Sequence, residues 1–341
     1  IRYSTRPMHS LDSIPRIPLS VQPTPLQDAP RLAEHCGLTR LMIKRDDQTG
    51  LAMGGNKARK LEYDFAGIVS GKYDVVLTIG GTQSNHARMT AAAARQLGLD
   101  VKLVLGGPDV QEYQGNLLLE NILGAEIRYL RDNDDNDALA GEMDAWAAEL
   151  ARAGRRPFTL PIGGSTGVGA LGYVRAMHEL AGQYGAGPVQ IVLAVGSCGT
   201  LAGTILGARM FLPEARVIGI SVSRTSAKIA ERTAELMREC AVILGAEDAP
   251  GREAVEAYDR YHEEYGVFTP SAREAIINAA RLEGVLLDPV YTGKALAGLM
   301  DLARTGVLDR SIPTVFIHTG GLPILFAYEQ HFRGLAAVTR I

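Results

Sequence analysis

The segment Gly54-Gly55-Asn56-Lys57-Ala58-Arg59-Lys60 puts an amine where a helix is expected to begin. Leu61, Phe65, Ile68 and Val69 follow at i, i+4, i+7 and i+8, an apolar stripe of helical period, so Lys57 falls in the first turn. Unpaired amides and the positive end of the helix dipole lie there, and both disfavour an ammonium. A second cation nearby would depress the pKa further, which is how a lysine becomes a nucleophile toward an aldehyde. A solvated surface lysine is the ordinary alternative at this spacing.

Two more segments carry the residue types of ligand chemistry. Gly80-Gly81-Thr82-Gln83-Ser84-Asn85-His86 reads as a strand exit entering a helix, whose amides and hydroxyls suit a carboxylate; a plain capped turn fits equally well. Val195-Gly196-Ser197-Cys198-Gly199-Thr200 joins two glycines to hydroxyl residues, the makings of a phosphate cradle or of a tight turn. It is neither a Walker loop, for G-K-[ST] is missing, nor G-x-G-x-x-G. Cys198 in it reads as a small packing residue rather than a nucleophile.

These segments need elements to hold them. Short β-branched runs at 75–79, 101–105, 126–130, 158–162, 190–195, 217–222 and 314–318 read as strands. Helical patterns at 85–97, 137–152, 169–181 and 201–211 alternate with them, the signature of β-α units around a parallel sheet. Either Asn136 or Asp137 is expected to cap the helix after the polar loop 131–137. Glycine turns at Gly80-Gly81, Gly163-Gly164, 196–199 and Gly320-Gly321 each follow an expected strand. Ligands bind at the carboxyl ends of strands in open α/β sheets, so this placement predicts a central cleft.

Composition narrows the class of ligand. At 341 residues the chain is about twice a usual domain, so two domains or one large body with a lobe are expected. Apolar residues at 46% and charged residues at 21% exclude a disordered or fibrous chain. Net charge is −3 with dispersed lysines and arginines, so no footprint for nucleic acid or an anionic membrane is present. No apolar run approaches the roughly 18 residues of a membrane span, and the first residues lack a signal-peptide layout. Cys36, Cys198 and Cys240 are odd in number and form no C-x-x-C pair, which argues against a disulfide framework or a structural zinc site. A small-molecule ligand, no metal and a reducing cytoplasm are therefore expected.

Together, Asn56-Lys57-x-Arg59-Lys60-Leu61-Glu62, Gln83-Ser84-Asn85-His86, Gly163-Gly164-Ser165, Asp288-Pro289-Val290-Tyr291-Thr292-Gly293-Lys294 and His318-Thr319-Gly320-Gly321 form an ordered set. In order and spacing it resembles the fold-type-II pyridoxal-phosphate (PLP) enzymes of the D-cysteine desulfhydrase and 1-aminocyclopropane-1-carboxylate (ACC) deaminase group, over about residues 23–328. The resemblance implies a tryptophan-synthase-β-like α/β fold with two open α/β domains and the cofactor between them. Residues 1–59 and 172–341 would form a large discontinuous domain, residues 60–171 a small inserted one, and the enzyme a homodimer.

The resemblance also implies roles. Lys57 would carry the cofactor and shuttle the Cα proton. Lys60 and the loop Ser197, Cys198, Gly199, Thr200 would hold the phosphate, with Asn85 on the phenolic oxygen. Ser84, Asn85 and His86 would receive the substrate carboxylate, Tyr291 would lie against the pyridine ring, and Tyr265 would face the substrate. Core packing is the alternative for both tyrosines.

Members resembling ACC deaminase carry glutamate and leucine where this chain has Thr292 and Thr319. A carboxylate beside the ring nitrogen keeps it protonated and strengthens the electron sink; a threonine hydroxyl does not. The expected reaction is therefore β-elimination, most simply of D-cysteine to pyruvate, sulfide and ammonia. L-Cysteate sulfo-lyase is the main rival. β-Replacement, ACC deamination and a non-catalytic binding protein follow. Ala87, Met89 and Thr166 depart from common family residues, and a bulkier substrate is expected if they reach the pocket wall.

Overall fold

The computed structural model describes residues 11–107, 112–133, 135–246, 248–261, 263 and 266–335. Tyr265, expected to face the substrate, lies outside the described residues.

Two sheets organise the chain. The strands of the first are β1 (Leu26–Asp28), β2 (Leu41–Lys44), and, later in the chain, β7 (Val189–Val195), β8 (Ala215–Ser221), β9 (Glu256–Tyr258) and β10 (Thr314–Ile317). Those of the second are β3 (Val75–Gly81), β4 (Asp100–Gly107), β5 (Glu126–Arg131) and β6 (Pro157–Leu160). The first sheet runs β1-β2-β10-β7-β8-β9 and the second β5-β4-β3-β6. Among the strand pairs of the described residues, only β1–β2 is antiparallel.

The helices are α1 (Pro30–Cys36), α2 (Lys57–Ser70), α3 (Asn85–Gln96), α4 (Gly115–Ile122), α5 (Asn136–Arg152), α6 (Gly167–Tyr184), α7 (Gly199–Phe211), α8 (Ser226–Leu244), α9 (Pro270–Glu283), α10 (Thr292–Arg304) and α11 (Leu322–Ala327). The period of two along the central strands decides which helices cover which face. Ile191, Leu193 and Val195 of β7 join Val315 and Ile317 of β10 in a core against α6, α7 and α8. Val192, Ala194 and Phe316 point the other way, into a core with α1, α9 and α10. A parallel strand covered on both faces reads as a continuous apolar run, and all seven residues of β7 are buried.

The expected strands of both sheets are present, with ends shifted by a few residues. The strand expected to reach 162 stops at Leu160, since Pro161 cannot donate to the ladder and a 3-10 turn follows. The cap of α5 is Asp135, not Asn136 or Asp137: its carboxylate accepts from the Asp137 amide at 3.2 Å. Val69, expected on the apolar stripe of α2, is exposed, while Leu61, Phe65 and Ile68 are buried.

A buried ionic cluster fixes α2 in place. The Arg59 guanidinium donates through Nε and Nη2 to both Asp46 oxygens at 3.0 and 2.9 Å, and through Nη1 and Nη2 to Glu179 of α6 at 3.0 and 2.8 Å. Tyr173 and Thr24 hydroxyls donate to the same Asp46 carboxylate at 2.6 and 2.7 Å. Lys44, at the end of β2, donates to Glu179 and to the Thr24 carbonyl. Every oxygen of Asp46 is therefore met by donors, the condition under which a buried carboxylate is tolerated. Arg59 lies two residues beyond Lys57, so this cluster sets the start of α2 against the first sheet.

We propose that the two sheets mark two domains. The limits expected at 59/60 and 171/172 fall inside α2 and α6, so both helices would run between the units. No helix among the described residues is long and apolar enough to cross a membrane.

Candidate active site

A cavity of about 810 Å³ opens where the carboxyl ends of β3, β4, β7 and β10 converge. Lys57, Ser84, Asn85, His86, Ser197, Cys198, Thr200, Tyr291 and Thr319 all line it, so motifs more than 200 residues apart in the chain meet at one place.

Lys57 is the first residue of α2, as its spacing predicts. It is half-buried, and its amine has no hydrogen-bond partner among the described residues. Burial lowers its pKa from the ordinary 10.5 to about 8. Crossing glycine pairs hold the turn before it. The Asn56 amide donates to the Thr319 carbonyl at 3.0 Å. A β-carbon on Gly320, whose φ is +98°, would lie 2.6 Å from Gly55 Cα. Only glycine allows these two turns to touch.

The start of α7 forms the anion-binding wall. Ser165 Oγ accepts from Lys60 Nζ at 3.0 Å and from the Gly199 amide at 3.2 Å, both of which only donate. Its own hydrogen must therefore go to Ser197 Oγ, 2.7 Å away, which leaves the Ser197 hydrogen for the cavity. The same reasoning holds for Thr200, whose Oγ1 accepts from Asn56 Nδ2 at 2.8 Å. Two hydroxyl donors thus sit beside the first-turn amides of a helix of 13 residues, an arrangement suited to a phosphate.

Lys60 and Gly199, expected to touch the phosphate, do not line the cavity. Lys60 is buried beneath the loop, where Nζ also donates to the Gly163 carbonyl at 2.6 Å. A β-carbon on Gly199 would lie 2.8 Å from Lys60 Nζ, so this glycine lets the Lys60 amine approach the α7 terminus from behind. Cys198 adopts a left-handed φ of +72°, and burial raises its thiol pKa, which keeps it a thiol.

Ser84 caps α3, its Oγ accepting from the Ala87 amide at 3.2 Å, and its hydrogen remains for a ligand. Asn85 Oδ1 accepts from Asn116 Nδ2 of α4 at 3.0 Å. His86 is neutral, because burial and then the charges of Lys60 and Lys57 hold its pKa well below 6.5. Thr78 uses its hydrogen on the Leu160 carbonyl, so His86 Nε2 donates to Thr78 Oγ1 at 2.9 Å.

Tyr291 lies over the end of β7, 3.6 Å from where a β-carbon on Gly196 would stand. Thr292, expected beside the cofactor ring, does not line the cavity. Its hydroxyl donates to Asp288 Oδ2 at 2.7 Å and accepts from the Asp288 amide at 2.8 Å. The Asp288 carboxylate also collects the amides of Val290, Tyr291 and Thr292, and so builds the start of α10. Ala87, Met89 and Thr166 are likewise away from the wall, and Thr166 caps α6 while donating to Asp64. Their departures therefore do not enlarge the pocket. Spacing singles out neither Asp46 and Glu179 nor Asn116, because each acts through a partner 13 or more residues away.

Comparison with known proteins decides the family. The family model described as pyridoxal-phosphate dependent enzyme matches residues 17–320. The chain belongs to this family. It is 43% identical over 327 residues to a Pyrococcus horikoshii protein provisionally named 1-aminocyclopropane-1-carboxylate deaminase, covering 95% of this chain and 97% of that one. It is 40% identical over 333 residues to the D-cysteine desulfhydrase of Salmonella choleraesuis, covering 95% and 99%. A crystal structure of an ACC deaminase homologue superposes with a TM-score of 0.87 at 42% identity, covering 96% of this chain and 98% of that one. A threonine deaminase of Solanum lycopersicum, at 16% identity and a TM-score of 0.62 over 89% and 80%, shares the fold alone. The chain is thus a PLP-dependent lyase of the ACC deaminase and D-cysteine desulfhydrase group, on the fold-type-II α/β architecture.

The cavity residues fit pyridoxal phosphate. An unpartnered amine, a phosphate-binding helix start and an aromatic ring share one wall system. A neutral amine is the attacking form, so recombination of the apoenzyme with pyridoxal phosphate should quicken as pH rises and level off above about 8. Stopped-flow absorbance checks this. A rate that keeps rising steeply up to the ordinary lysine pKa of about 10.4 contradicts the buried amine.

Proposed function

We propose that this enzyme catalyses β-elimination from a small amino acid, with D-cysteine and water giving pyruvate, hydrogen sulfide and ammonia. Relatives named for D-cysteine desulfhydrase and for ACC deaminase are similarly close, so identity does not choose between them. The observation that supports elimination is the polar chemistry around Tyr291. Thr319 lines the cavity there, whereas the Asp288 carboxylate faces four donors and does not. The described carboxylates on the cavity wall, Asp135 and Asp137, belong to the start of α5 instead. A ring nitrogen met by a hydroxyl remains a weaker electron sink than one held protonated by a carboxylate. Such a sink suits departure of a good leaving group better than opening of a cyclopropane.

When bound, pyridoxal phosphate supplies an aldehyde for an amine and an electron-withdrawing ring that acidifies the Cα–H bond. Lys57 Nζ, neutral above about 8, takes the Cα proton. Ser84 Oγ and the first amides of α3 receive the substrate carboxylate, and neutral His86 adds no charge beside it. Ser197 and Thr200 hold the phosphate end, with Lys60 beneath them. Tyr291 keeps one face of the ring dry. Tyr265 is retained as a substrate contact. The same reading makes the enzyme a cytoplasmic homodimer, and the three free, buried cysteines fit a reducing compartment.

A panel of β-substituted alanines in both enantiomers, with ACC, tests the proposal. Pyruvate and sulfide should appear in equal amounts from D-cysteine. Sulfite from L-cysteate, or 2-oxobutanoate from ACC, at higher kcat/KM would replace this reading by the corresponding one. L-Cysteate has one observation in its favour: the basic residues Arg224 and Lys228 both line the cavity, where a sulfonate could meet them.

A further inference from the structure

Asn85 can present either end of its amide to the cavity, and the two ends are chemically opposite. Nδ2 donates a hydrogen bond and Oδ1 accepts one. Which end faces a ligand is decided behind it, on α4. Asn116 is fully buried there, and its own orientation is fixed by a group that cannot be reversed: Nδ2 donates to the Gln83 backbone carbonyl at 2.8 Å. The same Nδ2 donates to Asn85 at 3.0 Å, so Asn85 must turn its oxygen toward α4 and its NH2 toward the cavity. The Gln83 side chain closes the arrangement from the other side. Its Oε1 accepts from the Asn116 amide at 2.9 Å and its Nε2 donates to the Gln114 carbonyl at 3.1 Å, which docks the start of α4. Gly115, with φ +55°, makes room, since a β-carbon there would lie 2.3 Å from Gln83 Oε1.

We propose that Asn116 is a positioning residue that sets Asn85 as a hydrogen-bond donor to the bound cofactor, a role that rests on the pyridoxal-phosphate reading of the cavity. A donor at that point stabilises an oxyanion on the ligand, whereas a reversed amide would repel it. Asn116 touches neither cofactor nor substrate, so it acts only through Asn85.

A double-mutant cycle tests this in the holoenzyme. Asn116→Leu should weaken cofactor affinity about tenfold, the equivalent of one lost hydrogen bond, and shift the absorbance band of the bound cofactor. The same substitution made on an Asn85→Ala background should change neither. Asn116→Asp, equal in size, cannot donate to both oxygens and should move the band in the same sense, which keeps the test open if the leucine variant folds poorly. Equal losses in both backgrounds, or an unshifted band in both single variants, would overturn the proposal. Failure of the wild type to bind the cofactor at all would instead overturn the reading on which it rests.

Discussion

Lys57→Ala lowers turnover by at least roughly 10³-fold, because one substitution removes both the amine that joins the cofactor and the base that moves the Cα proton. The loss is chemical rather than structural. Burial penalises the charged amine, with a pKa of about 8 in the fold against 10.5 in an exposed lysine, so its removal should leave the urea midpoint unchanged or slightly higher. Pyridoxal phosphate should still bind, since Ser197, Thr200 and the α7 terminus are untouched. Its absorbance should be that of the free aldehyde. Steady-state pyruvate release and a spectrum of the variant check both parts, and activity within about tenfold of wild type contradicts the assignment.

Asp46→Asn has the largest expected effect on stability, roughly 3–5 kcal/mol, because it leaves the buried Arg59 guanidinium short of a counter-charge. The variant amide also cannot accept all the donors that converge on the carboxylate from Arg59, Thr24 and Tyr173. The pH dependence separates this from a packing defect. Burial alone would raise the Asp46 pKa, yet Arg59 first, then Lys44 and Tyr173, hold it below the ordinary 3.8. Glu179 is also lowered, by Arg59 and Lys44 against burial. Carboxylates depressed in the fold contribute stability that is fully present above their unfolded pKa of about 4. That contribution is lost as pH falls through the folded values. Urea unfolding between neutral pH and about pH 3 should therefore show a shallower acid decline in Asp46→Asn than in wild type. Parallel declines would mean that the fold does not lower the Asp46 pKa.

The difference between what the sequence reveals and what it conceals follows the range of the interactions. Strands such as β3, β4 and β7 are legible because a parallel strand buried on both faces is a continuous β-branched run. Lys57 at the start of α2 is legible from the apolar spacing that follows it, and the glycine turns mark where a ligand approaches the backbone. β1 and β9, at three residues each, are too short for any period to show and are defined by their neighbours. Asp135 escapes notice as the α5 cap because six acidic or amide residues crowd that loop and only the helix direction selects one.

Site residues divide in the same way. The wall residues Ser84, Ser197, Thr200 and Tyr291 lie in turns whose composition announces them. Thr292 belongs to the same motif, yet its hydroxyl turns to Asp288, four residues back, because the helix start needs a capped amide more than the cavity needs another hydroxyl. Lys60 is similarly withdrawn, since the Gly163 carbonyl and Ser165 lie within reach of a long side chain. Only the fold brings Asp46, Glu179 and Asn116 to the motifs they support.

Borohydride reduction of the holoenzyme followed by peptide mass spectrometry tests the central claim most directly, for it converts the lysine-cofactor link to a stable amine at the residue that forms it. The pyridoxyl group should be found on Lys57. Finding it on Lys60 or Lys294, or on no lysine at all, would contradict the account.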